Sequence, residues 1–345
     1  MALAQRTLDL VNIPSESGNE ARVARYVEGS VPLQTAFSDG ESLIFAKREG
    51  KPLVLLAGHT DTVPAQGNLP GRIDNGAVVG LGASDMKGGL AVMIELAHWA
   101  AATDLAYDLG LLFFPREELG PAENPLPGIF EHTALVDESQ LVICLEPTDN
   151  TLQLGCLGNL VARVVFDGRS AHSARPWLGV NAIRLALNGL RQTLESAPRD
   201  VEIDGLVFRE VISVVTLHAG IATNVIPGRA EAIVNFRYAP DRTPESAVNR
   251  VRELVGTDVE IVANSPPAHV ALRSPLVERL REAGGFEVQP KQAWTNVADF
   301  AARGLDAVNL GPGATRYAHA VDEQVAIAEL ERTYEALQRF LVGTV

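Results

Sequence analysis

Three short apolar runs constrain this chain more than anything else in it: Lys51–Ala57 (KPLVLLA), Leu109–Phe114 (LGLLFF) and Leu141–Leu145 (LVICL). Each is nearly continuous and bounded by polar residues, the pattern of a strand covered on both faces. Between the first two lies Lys87–Ala102 (KGGLAVMIELAHWAAA), which reads as a helix. Strands alternating with helices predict an α/β layer with a mostly parallel sheet. In such sheets ligands gather beyond the carboxyl ends of the strands.

Ala2–Ile13 has helical spacing, and Ser17-Gly-Asn-Glu20 predicts a capping box opening a second helix through Val27. From about Gly158 the pattern changes. Leu160–Asp167 reads as a strand, Val180–Leu194 as a helix, Val211–His218 and Ala230–Tyr238 as strands, and Pro244–Val255 as a helix. That run predicts a separate α+β sandwich of ferredoxin-like type. Asn264-Ser-Pro-Pro-Ala268 reads as a linker leading out of it. Pro275–Ala283, Val297–Ala302, Ala307–Leu310 and Ala326–Leu341 then resume the α/β pattern. The expected organisation is an α/β domain at 1–157 and 269–345, interrupted by an inserted α+β domain at 158–268. A length of 345 residues exceeds what one hydrophobic core usually spans.

Lys+Arg 29 against Asp+Glu 43 gives a net charge of −14 with no basic block, which argues against nucleic acid as a partner. No apolar run reaches the ~18 residues of a membrane span. Met1–Ile13 mixes Gln5, Arg6 and Asp9 into its apolar positions, so it reads as neither signal peptide nor anchor. Cys144 and Cys156 lie in apolar runs without metal-type spacing and read as small core residues in a reducing compartment. The expected location is the cytoplasm.

Five clusters carry candidate chemistry. His59 and Asp61, in Gly58-His59-Thr-Asp61, are two apart and leave an extended backbone on one face. There a carboxylate can fix the imidazole tautomer and leave the other nitrogen for a metal. Asp85 sits in Gly80-Leu-Gly82-Ala-Ser-Asp85-Met-Lys87-Gly-Gly89, either as a helix cap or as a functional carboxylate. The spacing of a phosphate loop is absent. Glu117 and Glu118 follow one apolar strand, and adjacent carboxylates repel unless a cation or shared proton compensates. Glu146 follows another strand, and His319 lies in a glycine-rich segment. Histidines and carboxylates without cysteine suit Zn²⁺ or a similar borderline cation. The charges of Asp85, Glu118 and Glu146 with one bridging hydroxide would balance two such ions.

His59-x-Asp61, Ser84-Asp85-Met-Lys-Gly-Gly89, Glu117-Glu118, Glu146-Pro147 and His319, in this order and spacing, resemble the motif set of the co-catalytic di-zinc family. That family includes aminoacylases, glutamate carboxypeptidases, acetylornithine deacetylase and succinyl-diaminopimelate desuccinylase. The resemblance implies a di-zinc exopeptidase-like catalytic domain with an inserted lid that dimerises. It implies two zinc ions per subunit, with Co²⁺ as a substitute. His59 and Glu146 would hold one ion, Glu118 and His319 the other, and Asp85 would bridge them. Asp61 would orient His59, Glu117 would be the general base, and the Asp85–Met86 peptide would be cis.

In the insert, His172 resembles the lid histidine that reaches the partner subunit's site and polarises the scissile carbonyl. Asn224 and Arg237 resemble substrate-carboxylate contacts, and Arg175 is read either as a third contact or as a surface ion-pair residue. Three stretches, beginning at Ser170, Ala222 and Asn296, most resemble succinyl-diaminopimelate desuccinylases of the shorter, actinobacterial type. The substrate implied is a small N-acyl amino acid. Acetylornithine deacetylation, dipeptide hydrolysis and metal-dependent binding without turnover are the alternatives.

Overall fold

The three apolar runs form the middle of an eight-stranded mixed sheet in the computed structural model, which describes residues 2–256 and 258–343. Met1, Thr257, Thr344 and Val345 lie outside the described residues. Across the sheet the strands run Gln34–Ser38, Leu43–Lys47, Asp108–Phe114, Leu53–His59, Ser139–Cys144, Ala307–Asn309, Leu152–Cys156 and Val288–Lys291. Leu53–His59 is parallel to both of its neighbours. It and Asp108–Phe114 are buried along their whole length, hence their unbroken apolar sequence. The register pairs His59 with Phe114 and Ala57 with Cys144. Three chain segments therefore leave the sheet at one edge, carrying His59, the Glu117-Glu118 pair and Glu146.

The helix Gly88–Ala101 is buried over most of its surface, so it is apolar nearly all round. A Cβ on Gly89 would lie 2.4 Å from the Leu145 carbonyl oxygen. The missing side chain lets the helix close onto the strand end that presents Glu146. The Asp85–Met86 peptide is cis, as the resemblance implies. Asp85 is not the cap of this helix: Lys87 holds that position, and Asp85 itself is extended, at φ −121 and ψ 92.

The capping box does not form. Glu20 is itself the N-cap of Ala21–Ser30 and makes no side-chain cap bond. Its carboxylate accepts the Gly18 N–H at 2.9 Å, while the Ser17 hydroxyl is engaged elsewhere, on Asp61. Four strands of the sheet carry no strong sequence signal. Gln34–Ser38, for example, is a mostly exposed edge strand with no apolar run to reveal it.

The chain divides into two compact units, Met1–Leu154 with Ala271–Gln289 and Asp299–Val345, and Gly155–Val270 with Pro290–Ala298. The second unit holds a five-stranded antiparallel sheet ordered Arg199–Ile203, Leu206–Ala219, Arg229–Tyr238, Gly158–Asp167, Val259–Ser265. Without the outer Arg199–Ile203 strand, the chain order across the sheet is second, third, first, fourth, which is the ferredoxin-like arrangement. Ala182 and Ala186 of the helix Ala182–Gly189, with Ala247 and Val251 of Pro244–Val255, pack on Leu160, Val164, Val234 and Phe236.

Three expectations are corrected here. The helix expected over Val180–Leu194 is two pieces, Ala182–Gly189 and Arg191–Leu194. Asn264 and Ser265 end a strand rather than begin a linker, and the Tyr238 hydroxyl donates to Asn264 Oδ1 and the Ser265 carbonyl. Pro290–Ala298 belongs to the second unit, so the chain enters that unit twice. Gln292 accepts the Arg209 N–H and donates to the Val207 carbonyl, and the Trp294 indole donates to Pro266. A tether held by side chains carries no periodic pattern. Both cysteines are buried. No described helix is long and apolar enough to cross a membrane.

Candidate metal centre

His59 ends its strand at 1% exposure, with Nε2 3.1 Å from Asp85 Oδ1. Its Nδ1 faces Asp61, 3.1 Å from the carbonyl oxygen and 3.4 Å from Oδ1. Asp61 has further partners: the Ser17 hydroxyl donates to Oδ2 at 2.7 Å, and the N–H groups of Glu117 and Glu118 donate at 3.0 and 3.1 Å. One buried carboxylate thus orients the imidazole and pins the backbone of the acidic pair. Burial opposes its charge, but the bond and charge of His59, with the Ser17 and Glu118 hydrogen bonds, hold its pKa down at about 2.

On the far side, His319 Nε2 lies 3.0 Å from Glu118 Oε1 and 3.6 Å from Asp85 Oδ2. The two oxygens of Asp85 therefore face different histidines, the disposition a bridging carboxylate needs. Potential ligand atoms fall within 4.8 Å of one another in three groups: His59, Asp85 and Glu146; Asp85, Glu118 and His319; and His59, Glu117 and Glu118. The first two share Asp85. Nitrogen and oxygen donors without sulfur fit borderline divalent ions, and two groups meeting at one carboxylate fit a pair of them.

The electrostatics fit a cation as well. Burial raises the proton affinity of Glu117, and the charges of Glu146, Asp85 and Glu118 add to it, against the opposing pull of His59. Glu118 is raised by burial and by Asp85 against the two histidines. Burial opposes charge on His59 too, but Asp61, Asp85 and Glu146 outweigh it and hold its pKa well above the ordinary value. Acids and a base whose proton affinities are all raised form a site where a cation competes with protons for the same atoms.

The remaining candidates lie in the second unit. His172 is on the short strand Ala171–His172, paired with Val225–Ile226, and Asn224 adjoins that pairing through the Ser173 N–H. The Ala174 N–H donates to His172 Nδ1 at 3.1 Å, which leaves the proton on Nε2 of the neutral ring, on an exposed side chain. Arg175 is exposed and donates its N–H to the His172 carbonyl. Arg237, on Arg229–Tyr238, is half-buried; its Nε donates to Asn235 at 3.1 Å, and among the described residues no carboxylate lies within ion-pair distance. Burial lowers its pKa.

Residues 55–342 match Peptidase family M20/M25/M40. The chain belongs to this peptidase family. It is 34% identical to succinyl-diaminopimelate desuccinylase of Corynebacterium glutamicum, over 99% of this chain and 95% of that protein. It is 39% identical to a Mycobacterium tuberculosis protein provisionally named as the same enzyme, over 98% and 97%. Aminopeptidase PepT of Bacillus cereus has the same fold at a TM-score of 0.79 and 19% identity, covering 99% of this chain and 98% of that one. The chain is an amide hydrolase of the M20/M25/M40 family.

Two residues at the centre of this peptidase carry no sequence signal of their role. Ser17 sits in what reads as a cap, yet it braces Asp61. Glu323, four residues past His319, is buried against the Asp85 loop. Its partner in charge is Lys87, also buried, whose ammonium donates to the Ile13 carbonyl at 2.8 Å and is pushed down to about 7 by burial.

Proposed function

We propose that this chain hydrolyses the amide of N-succinyl-L,L-diaminopimelate, releasing succinate, with two zinc ions held by the two groups that share Asp85. The observation that carries the reading is the convergence of His59, Asp85 and Glu146 with Glu118 and His319. The near full-length similarity to a protein named for that reaction supports the substrate. His59 and Glu146 would hold one ion, Glu118 and His319 the other, with Asp85 between. Bound there, divalent metal supplies Lewis acidity and brings a water's pKa toward neutrality.

Glu117, adjacent to a ligand but assigned to neither pair, takes the proton of the attacking water and delivers it to the leaving amine. Asp61 keeps His59 aligned and Glu117 in place. As the lid histidine of the family resemblance, His172 of one copy would offer its Nε2–H to the carbonyl oxygen in the partner subunit's site as negative charge develops on it. Arg237 borders a groove of about 470 Å³ with Leu157, Val207 and Val211, a cation beside apolar surface that suits the carboxylate end of an acyl chain.

The test is a panel of N-succinyl-diaminopimelate, N-acetylornithine and dipeptides, with and without chelator, on wild type and Arg237→Met. Succinate release is expected to dominate and to vanish with chelator, and Arg237→Met is expected to raise KM by about 10-fold or more. Preferential acetate release would reassign the substrate within the family.

The second unit also reads as the surface for a second copy of this chain. Within Leu206–Ala219, residues 206–210 pair with Arg199–Ile203, and among the described residues the rest of that edge has no strand partner. Val215, Leu217 and Leu187 are large exposed apolar side chains. Sedimentation is expected to give the mass of two chains for wild type and of one for Val215→Pro. A monomeric wild type would exclude this interface.

A further inference from the structure

We propose that Glu323 is a positioning residue of the metal centre, locking the loop that carries Asp85 to the loop that carries His319. The proposal rests on the metal-site reading above and deepens it. Glu323 is 1% exposed, and its carboxylate receives a row of backbone donors: Oε2 accepts the Gly82 N–H at 2.8 Å, and Oε1 accepts those of Asp85 at 2.9 Å and Ser84 at 3.1 Å. Its own carbonyl accepts the Gly80 N–H at 2.9 Å. Four N–H groups of Gly80–Asp85 thus end on one residue.

The local backbone explains why a carboxylate is needed. Gly82 lies at φ 76, where a side chain is strained, and the loop here makes no sheet or regular α-helical ladder to absorb its N–H groups. A carboxylate is the side chain that accepts on both oxygens and donates from neither. A glutamine would turn an amide nitrogen toward one set of donors.

The other end of the link is the His319 segment. Glu323 is tied back into that segment by its N–H to the Ala320 carbonyl, and Ser84 Oγ donates to Ala314 on the other side of His319. Gln66 donates to the His319 carbonyl itself. Asp85 and His319 come from segments more than two hundred residues apart, yet their side chains face each other at 3.6 Å. The Glu323 side chain bonds the Asp85 N–H while its backbone continues the His319 turn. Loss of such an outer partner typically weakens metal affinity 10–100-fold.

The experiment compares wild type, Glu323→Gln and Glu323→Asp, with the exposed neighbour Asp322→Asn as control. Metal-free full-length protein is titrated with Co²⁺ against a chelating dye, the visible absorption of the bound Co²⁺ is recorded, and kcat and KM are measured. Expected for Glu323→Gln is Co²⁺ affinity down by about 10-fold or more, an altered Co²⁺ spectrum, and a fall in kcat with KM nearly unchanged. Asp322→Asn should match wild type.

Glutamine and aspartate variants that bind Co²⁺ as wild type does, and lose only melting temperature, would overturn the proposal. So would failure of both to fold, since the carboxylate would then only hold the fold together. If Glu323→Gln alone does not fold, Glu323→Asp reads the same constants, because it keeps the charge and shortens the reach. Wild type that binds no Co²⁺ would sink the metal-site reading instead, a different outcome from wild-type binding that is unaffected by position 323.

Discussion

Glu117→Gln is expected to lower kcat by about three orders of magnitude while leaving metal content and folding unchanged. Glutamine keeps the shape of the side chain and its acceptor oxygen, so the backbone bond from the Glu117 N–H to Asp61 Oδ1 survives. What disappears is the carboxylate that, in the proposed role, takes a proton from water and returns it to the amine. The neighbour Glu118 cannot substitute, because its carboxylate faces His319 at 3.0 Å and Asp61 fixes the backbone of both residues. Metal analysis, circular dichroism and kcat on the same preparation separate the cases. Turnover within about tenfold of wild type would remove Glu117 from the base role, and loss of metal along with activity would make it a ligand instead.

How much of this was legible follows from where the signal lies. Leu53–His59 and Asp108–Phe114 are read correctly because full burial leaves an unbroken apolar run, and the polar residues just past them mark a strand end. The parallel register then brings His59, Glu117, Glu118 and Glu146 to one edge without further information. Asp85 and His319 could be named as candidates from their glycine-rich surroundings. Their convergence was legible only through the family resemblance, since nothing local to either segment encodes the other. Glu323 and Ser17 were invisible in their roles for a related reason. Their partners are backbone N–H groups and a carboxylate distant in sequence, and a hydrogen bond to a remote loop leaves no periodicity.

The same reasoning explains the error over Pro290–Ala298. A periodic strand or helix declares which core it belongs to, whereas this segment is bound by Gln292 and Trp294 side chains to main-chain groups of the second unit. By contrast, Gly158–Asp167 alternates buried and half-exposed positions, so its membership of a half-covered antiparallel sheet is plain from the chain alone.

Stripping divalent metal is expected to cost stability as well as activity, and Asp85→Ala is expected to abolish the stabilising response to metal. Asp85, Glu117, Glu118 and Glu146 crowd one site, and in the metal-free protein burial and their mutual repulsion raise the proton affinity of Glu117 and Glu118. A cation binding there competes with protons for the same carboxylate oxygens. Metal binding to wild type should release protons into a weakly buffered solution, and the folded state should gain about 4 kcal/mol when free metal stands about 1,000-fold above its dissociation constant. That gain corresponds to a rise of roughly 5–6 °C in the melting transition of a chain this size. Asp85 belongs to both ligand groups, so its removal weakens both at once, whereas loss of Glu146 or His319 should weaken one. Scanning calorimetry of chelated and metal-loaded wild type and Asp85→Ala decides the matter. An equal rise in both proteins would show that metal binds elsewhere, and no rise in wild type would show that these carboxylates do not hold it.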